Sequence, residues 1–213
     1  MCNKYRTDKG TNGEGAHGFS EFYDFFFRNF ENPRILEIGV GGGGFEKAVN
    51  EYYDGKCEIY CVDINDCSSF FEGYGNIHFI QCDCGFEENV KNLVSTLSDL
   101  KFDIVIEDGS HFWRHQFISL LYFRRLVRKG GYYILEDLHT SYEKTFGLDC
   151  DTNETPLQFV STLSPCNFYT DSENREIQDS IDTYILFSKE NGNREKDKLT
   201  LFSRSVTAVL KIK

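Results

Sequence analysis

The feature that most constrains the fold is a regular alternation of short apolar runs and longer helical stretches between residues 34 and 138. The apolar runs are rich in β-branched and aliphatic side chains, as buried strands are, and they cover residues 34–40, 58–64, 77–82, 102–107 and 131–136. Helical periodicity lies between them, over residues 45–53, 86–97 and 113–127. Strands that alternate with helices build a parallel sheet covered on both faces. The sequence therefore predicts an α/β fold with a doubly wound sheet.

The segments on either side of this alternation are less regular. Aromatic residues at helical spacing predict a helix over residues 19–30, whose aromatic stripe packs on the domain or, less simply, covers a ligand. After residue 142 the chain becomes polar and irregular up to about residue 178, with one short helix near residues 156–163. Apolar runs at residues 181–189, 199–203 and 206–212 predict an antiparallel C-terminal hairpin that completes a mostly parallel, seven-stranded sheet.

Composition excludes several classes of protein. A chain of 213 residues with 40% hydrophobic content suits one well-buried domain. Its 34 acidic and 23 basic residues, a net charge of -11, argue against binding nucleic acid through phosphate neutralisation. No apolar run reaches membrane-spanning length. Without a signal peptide, the eight cysteines are expected to be reduced thiols in the cytoplasm.

A glycine-rich turn follows the first predicted strand, in the sequence ILEIGVGGGG at residues 35–44. Glycines such as Gly39 and Gly41 allow a ligand to approach the backbone closely. Asp63 ends the second strand, where a carboxylate can accept hydrogen bonds from both ribose hydroxyls. Asp83 ends the third strand, in a position to meet an adenine. Together these residues predict a nucleoside ligand.

Two clusters of acids and histidines follow the next two strands, EDGSH at residues 107–111 and LEDLHTSY at residues 135–142. If these strands are parallel neighbours, roughly 4.8 Å apart, their carboxyl ends bring Asp108, Glu136 and Asp137 into one crevice with His111 and His139. Carboxylate oxygens are the ligands that Mg²⁺ prefers. In a regular strand the consecutive Glu136 and Asp137 would face opposite ways, so the strand must end or twist there if both bind one ion.

Glu37, two residues before the first glycine, resembles the acidic position of the Glu-x-Gly-x-Gly motif in class I S-adenosylmethionine-dependent methyltransferases, which have Rossmann-like folds. With YRTDKG at residues 5–10, DGSH at 108–111 and EDLHTSY at 136–142, the chain resembles a narrower family. This family comprises the metal-dependent sugar O-methyltransferases of macrolide and aminocoumarin antibiotic biosynthesis. The chain departs from the family at Arg6, where a small residue is expected, and at Cys82 and Cys84, where Gly and Gln are expected beside Asp83.

The resemblance implies a cofactor, a metal and an acceptor. The cofactor is S-adenosylmethionine, which leaves as S-adenosylhomocysteine (SAH), and the acceptor is a sugar hydroxyl of a glycan or a glycosylated small molecule. Magnesium is held by Asp108, Glu136 and Asp137, and His111, next to Asp108, is the general base. The residues expected to bind the cofactor are Thr7, Lys9, Glu37, Gly39, Gly41, Asp63 and Asp83.

Alternative interpretations stay open at this point. A catechol or other phenolic diol would suit the same metal, and a nicotinamide-dependent oxidoreductase, disfavoured by Glu37, would suit the glycine loop. A non-catalytic binding module would retain only the cofactor pocket. His111 and His139 could serve only as structural residues at a helix start or a surface, and Lys9 could lie in a surface turn.

We expect a single methyltransferase domain over residues 1–213. Its parts are an N-terminal lid or cofactor segment with its helix (1–30), a cofactor- and metal-binding core (34–142), an acceptor-side insertion (143–180) and a C-terminal hairpin (181–213). Two questions about assembly stay open: whether copies of the chain form an oligomer, and whether the chain is part of a larger glycan-synthesising polypeptide.

Overall fold

Seven strands form one sheet in a computed structural model that describes residues 2–10, 18–190 and 204–213. The strands are β1 Arg34–Ile38, β2 Glu58–Asp63, β3 Ile77–Gln81, β4 Phe102–Glu107, β5 Val127–Leu135, β6 Ile181–Glu190 and β7 Arg204–Ile212. Their order in the sheet is β3-β2-β1-β4-β5-β7-β6. Strands β1 to β5 are parallel, whereas β7 runs antiparallel to both β5 and β6. The predicted mostly parallel sheet with an antiparallel C-terminal hairpin is confirmed.

Helices cover both faces of the sheet. They are α1 Ser20–Phe27, α2 Gly44–Tyr52, α3 Glu87–Thr96, α4 Trp113–Phe123, α5 Pro156–Thr162 and α6 Asp171–Ser180. Successive side chains of a strand point to opposite faces, so Ile35 joins the core beneath α1 and α2 while Leu36 joins the core beneath α3 to α6. No helix in the described part of the chain is long and apolar enough to cross a membrane.

The structure differs from the sequence prediction mainly after residue 142. The expectation of irregular chain up to residue 178 was wrong for α6, which begins with a capping box between Thr170 and Glu173. Within this fully described helix the buried residues are Asn174 and Ile177, so there is no apolar stripe to reveal it. The predicted aromatic helix also ends earlier, at Phe27. The run at residues 199–203 lies outside the described residues.

The sheet order creates a crevice between β1 and β4. From β1 the sheet continues to β2 and β3 on one side and, from β4, to β5 on the other. Ligands of such sheets bind at this switch point, beyond the carboxyl ends of the strands. The glycine turn and both acid clusters follow β1, β4 and β5, so the fold places all three at this crevice.

Candidate functional site

The glycine loop after β1 is packed tightly against its neighbours. Gly39 has a φ of +95°, and a Cβ there would lie 2.1 Å from the backbone oxygen of Asp108. A Cβ on Gly44 would lie 2.5 Å from the backbone oxygen of Tyr5. Because ordinary side chains would clash at both positions, glycine is needed for the loop to fit between the end of β4 and the N-terminal segment.

A cavity of about 370 Å³, here called the nucleoside cavity, lies beside this loop and is lined by Gly39, Gly41, Asp63, Asp83 and Asp108, among others. The carboxylate of Asp63 accepts hydrogen bonds from the backbone N–H groups of Val40 (3.0 Å) and Asn65 (2.8 Å). Asp83 accepts one from the N–H of Gly85 (2.9 Å). The volume lies in the range of small-molecule sites.

A second cavity, of about 600 Å³, lies between the glycine loop and residues 5–9, and we call it the N-terminal cavity. The segment is held on α2 by Glu51, which lies 2.5 Å from the ammonium of Lys4 and accepts a hydrogen bond from the Tyr5 hydroxyl (2.6 Å). Both cavities are lined by Gly39, Gly41 and Asp108. Between them, the two cavities are lined by every residue predicted to bind the cofactor: Thr7, Lys9, Glu37, Gly39, Gly41, Asp63 and Asp83.

The acids after β4 and β5 come together because the backbone turns sharply at two non-glycine residues. His111 has a φ of 61° and Asp137 a φ of 52°, both in the left-handed region that such residues rarely adopt. Strand β5 ends at Leu135, so Glu136 and Asp137 are not held on opposite faces of a strand. Asp108, His111 and Asp137 offer ligand atoms within 4.8 Å of one another.

Glu136 lies next to this group but is engaged by other side chains. Its carboxylate accepts a hydrogen bond from the buried hydroxyl of Tyr23 and lies 3.2 Å from the ammonium of Lys9. The same ammonium is paired with Asp108. Two of the three predicted metal ligands, Asp108 and Asp137, are therefore grouped with His111 and Glu136 is not, and the role of all three as ligands stays a prediction.

Negative charge is in excess around the site. Burial, the charge of Asp108 and the charge of Asp137 raise the pKa of Glu136 well above its ordinary value, although Lys9 opposes the shift. Burial and then Glu46 raise the pKa of Glu37 in the same direction. Burial lowers the pKa of Lys9, but its acidic neighbours outweigh this and raise it well above 10.5.

This donor set suits a hard divalent cation. Asp108 and Asp137 supply carboxylate oxygens at the edge of the N-terminal cavity, and oxygen is the ligand atom that Mg²⁺ prefers. A bound cation would also balance the buried acids. His111 supplies nitrogen, which Mg²⁺ seldom uses, so the imidazole is better suited to proton transfer.

Sequence reasoning missed the residues that support the acids. Tyr23 was assigned to the packing stripe of α1, although it is the one residue of that stripe with a hydroxyl group. Thr140 Oγ1 lies 2.9 Å from the backbone oxygen of Asp137 and 3.2 Å from that of His111, so it ties the two left-handed turns together. His139 is buried, with Nδ1 3.5 Å from Asp137, so the surface alternative for this histidine was wrong.

His115, for which the sequence held no signal, lines the nucleoside cavity and makes a 2.6 Å hydrogen bond with Ser110. Trp113, the first residue of α4, is buried. Its indole N–H donates to the backbone oxygen of Thr140 (3.1 Å), so it links the first turn of α4 to the segment after β5.

The fold and this site define a methyltransferase, and comparison with known proteins agrees. The family described as FtsJ-like methyltransferase matches residues 15–146, and the chain belongs to this family. The resemblance to methyltransferases seen in the sequence is thereby confirmed.

Several relatives are O-methyltransferases according to their names. The mycinamicin VI 2''-O-methyltransferase of Micromonospora griseorubida is 36% identical over 158 residues, which are 69% of this chain and 39% of the relative. The demethylmacrocin O-methyltransferase of Streptomyces fradiae is 35% identical, over 74% of this chain and 40% of the relative. The chain thus spans about two fifths of the length of these curated relatives.

A solved structure extends the similarity to nearly the whole chain. MycE methyltransferase from the mycinamycin biosynthetic pathway, in complex with Mg, SAH and mycinamycin VI, has a TM-score of 0.71 and 28% sequence identity. The match covers 99% of this chain and 52% of MycE. The same methyltransferase with Mg and SAH alone gives a TM-score of 0.73.

Proposed function

We propose that this chain is a catalytic domain that transfers a methyl group from S-adenosylmethionine to a sugar hydroxyl of a glycan or glycosylated small molecule, with Mg²⁺ as the metal. The observation that carries the proposal is the position of Asp108, which lines both cavities and is grouped with Asp137 and His111. Support also comes from MycE, which is similar over nearly the whole chain and was solved with Mg, SAH and mycinamycin VI.

The cofactor would lie across the two cavities. Asp63 and Asp83 hold the ribose and adenine ends in the nucleoside cavity, because their carboxylates lie at the ends of β2 and β3. Thr7 and Lys9 face the amino-acid end in the N-terminal cavity, where a hydroxyl and an ammonium suit a carboxylate. The shared wall at Gly39 then lies near the middle of the cofactor, where the methyl group is carried.

The residues around Asp108 suit the chemistry of methyl transfer to oxygen. When bound, S-adenosylmethionine would supply the electrophilic methyl group, and Mg²⁺, which Asp108 and Asp137 would hold with Glu136 beside them, would lower the pKa of a nearby hydroxyl. His111 takes the proton of the acceptor hydroxyl at Nε2, which faces Asp137 at 3.5 Å. The neighbouring carboxylate stabilises the imidazolium that forms.

Positioning completes the proposed mechanism. The hydrogen bonds of Thr140 to the backbone at His111 and Asp137 fix the base relative to the acids, and the remaining acceleration comes from alignment of oxygen, methyl carbon and sulfur.

A cytoplasmic location remains part of the proposal, supported by the eight cysteines, all of which are free thiols.

Isothermal titration of SAH into the chain, with Mg²⁺ and with excess chelator, tests the cofactor assignment. We expect micromolar binding, and methyl transfer that chelation abolishes. Asp108→Asn should lose turnover, while the exposed Asp99→Asn provides the matched control. An unchanged turnover after chelation would contradict the metal assignment.

A panel of acceptors tests the substrate class. Rhamnose-type sugars and their glycosides should be methylated, and simple catechols should not. Methylation of catechols alone would favour the phenolic alternative, which uses the same metal. Stabilisation by NAD or NADP without binding of SAH would favour an oxidoreductase and overturn the proposal.

A further inference from the structure

Two cysteines flank Asp83 in the wall of the nucleoside cavity. Cys82 and Cys84 follow the end of β3, and both line the cavity together with Asp83 and Gly85. They are two of the three positions at which the chain departs from the family it resembles. The proposed reaction has no use for a thiol, so the pair calls for a separate explanation.

Cys82 and Cys84 are one residue apart in the same cavity wall, and the interaction between their side chains is the largest influence on the pKa of each thiol. A turn holds them in this position. Asp83 accepts a hydrogen bond from the N–H of Gly85 (2.9 Å), and its backbone oxygen accepts one from Asn89 (3.0 Å). Both side chains are partly exposed, so small molecules that enter the cavity can reach them.

Cys82 differs in reactivity both from its partner and from the buried cysteines, since the interaction with Cys82 and burial raise the pKa of the Cys84 thiol. Burial raises the pKa of the Cys57 thiol to about 11 and also raises that of Cys61, Cys67, Cys150 and Cys166. At Cys82 the hydrogen bond from Cys84 outweighs burial and the charge of Asp83, and the pKa is lowered. Because the thiolate is the reactive form, Cys82 is the thiol best suited to attack an oxidant.

We propose that Cys82 and Cys84 form a reversible redox pair in the wall of the nucleoside cavity, which peroxide converts into a disulfide. The thiolate of Cys82 attacks one oxygen of hydrogen peroxide, which breaks the O–O bond and leaves a sulfenic acid and hydroxide. The thiol of Cys84 then attacks the sulfenic sulfur, forms the S–S bond and releases water. A dithiol reductant returns both thiols by disulfide exchange.

Closure of the disulfide should weaken cofactor binding. Asp83 lies between the two cysteines, so a bond between their sulfur atoms forces its backbone into a small ring and displaces its carboxylate. This consequence rests on the proposed function, in which Asp83 contacts the adenine. The loss of a hydrogen bond to a charged group corresponds to a decrease in affinity of about ten- to a hundredfold.

Peroxide treatment of the full chain, followed by peptide mapping and titration with SAH, tests the proposal. The expected first product is a peptide that has lost two hydrogens between Cys82 and Cys84, with weaker SAH binding that dithiothreitol restores. Cys84→Ala should stop at the sulfenic acid, which dimedone traps on Cys82. Cys82→Ala should give no such adduct, and the partly exposed Cys150→Ala, outside the cavity, should behave as the unchanged chain does.

The possible outcomes are distinguishable. Oxidation of other cysteines before this pair, or no dimedone adduct in Cys84→Ala, overturns the redox pair. A disulfide that forms without changing the affinity for SAH overturns its effect on the cavity. If the reduced chain binds no SAH at all, the proposed function fails, while the peptide map still decides whether the redox pair exists.

Discussion

The two cavities that meet at Gly39 and Asp108 hold their acids in different ways. In the nucleoside cavity, backbone N–H groups hold the acids. Those of Val40 and Asn65 donate to the carboxylate of Asp63, and that of Gly85 donates to the carboxylate of Asp83. Around the N-terminal cavity, side chains from distant segments hold the acids, and Glu136 is buried against Tyr23 and Lys9. The first arrangement is built into the sheet and its loops, whereas the second depends on charge compensation across the fold.

The two arrangements differ in how well they stabilise charged carboxylates before a ligand binds. A carboxylate that accepts backbone hydrogen bonds is satisfied and partly solvated, so it is stable before the ligand arrives. Several buried carboxylates around one ammonium remain short of positive charge, and their raised pKa values reflect this. We therefore expect substitutions near the N-terminal cavity to affect catalysis and folding, and substitutions in the nucleoside cavity to affect affinity.

The largest effect is expected at the junction of the two cavities, with Asp108→Asn. The amide keeps the shape of the side chain but removes the negative charge that the proposed metal requires, which corresponds to about 10⁴-fold in turnover. Binding of SAH should change by less than about tenfold. Single-turnover kinetics and titration measure the two quantities separately. Turnover equal to that of the Asp99→Asn control would contradict the central role of Asp108.

Lys9→Met tests charge compensation around the N-terminal cavity. Removal of the buried ammonium leaves Asp108 and Glu136 without their counter-charge, so the free energy of unfolding in urea should fall by about 3 kcal/mol without divalent ions. Magnesium should recover part of this loss. The control is Lys4→Met, whose exposed ion pair with Glu51 should contribute little to stability because water screens it. Equal losses in the two variants would remove the contrast between the cavities.

Glu46 adds a dependence on pH to the same region. Burial raises its pKa from 4.5 to about 8. The folded chain therefore keeps a proton that the unfolded chain releases, and the resulting stability is present below pH 4.5 and is lost as the pH rises through about 8. Glu46→Gln should flatten this decline by up to roughly 5 kcal/mol, as measured by urea unfolding at both ends of the window. The exposed Glu88→Gln should leave the decline unchanged.

The same contrast explains how much could be predicted from sequence. The strands and the glycine loop were predictable because apolar runs and turn residues are local signals, and Asp63 and Asp83 follow from the ends of strands. The contacts of Lys9 and Tyr23 were not predictable, since Tyr23 and Glu136 are 113 positions apart and only packing brings them together. Helix α6 was missed because its polar surface carries no periodic signal, although its capping box was legible.

Asp63→Ala should produce the smallest of these effects and would show whether the nucleoside cavity is as independent as its local hydrogen bonds indicate. Loss of the carboxylate removes the predicted contacts to the ribose, so binding of SAH should weaken by about ten- to a hundredfold. Stability should change little, because among the described residues the carboxylate is held only by local hydrogen bonds from the N–H groups of Val40 and Asn65 and not by a buried counter-charge. Asp66→Ala, in the same exposed loop, is the control for binding. If Asp63→Ala instead lowered the free energy of unfolding as much as Lys9→Met is expected to do, the acids of both cavities would belong to one charge-compensated network, because the loss of these local hydrogen bonds would not account for so large a change.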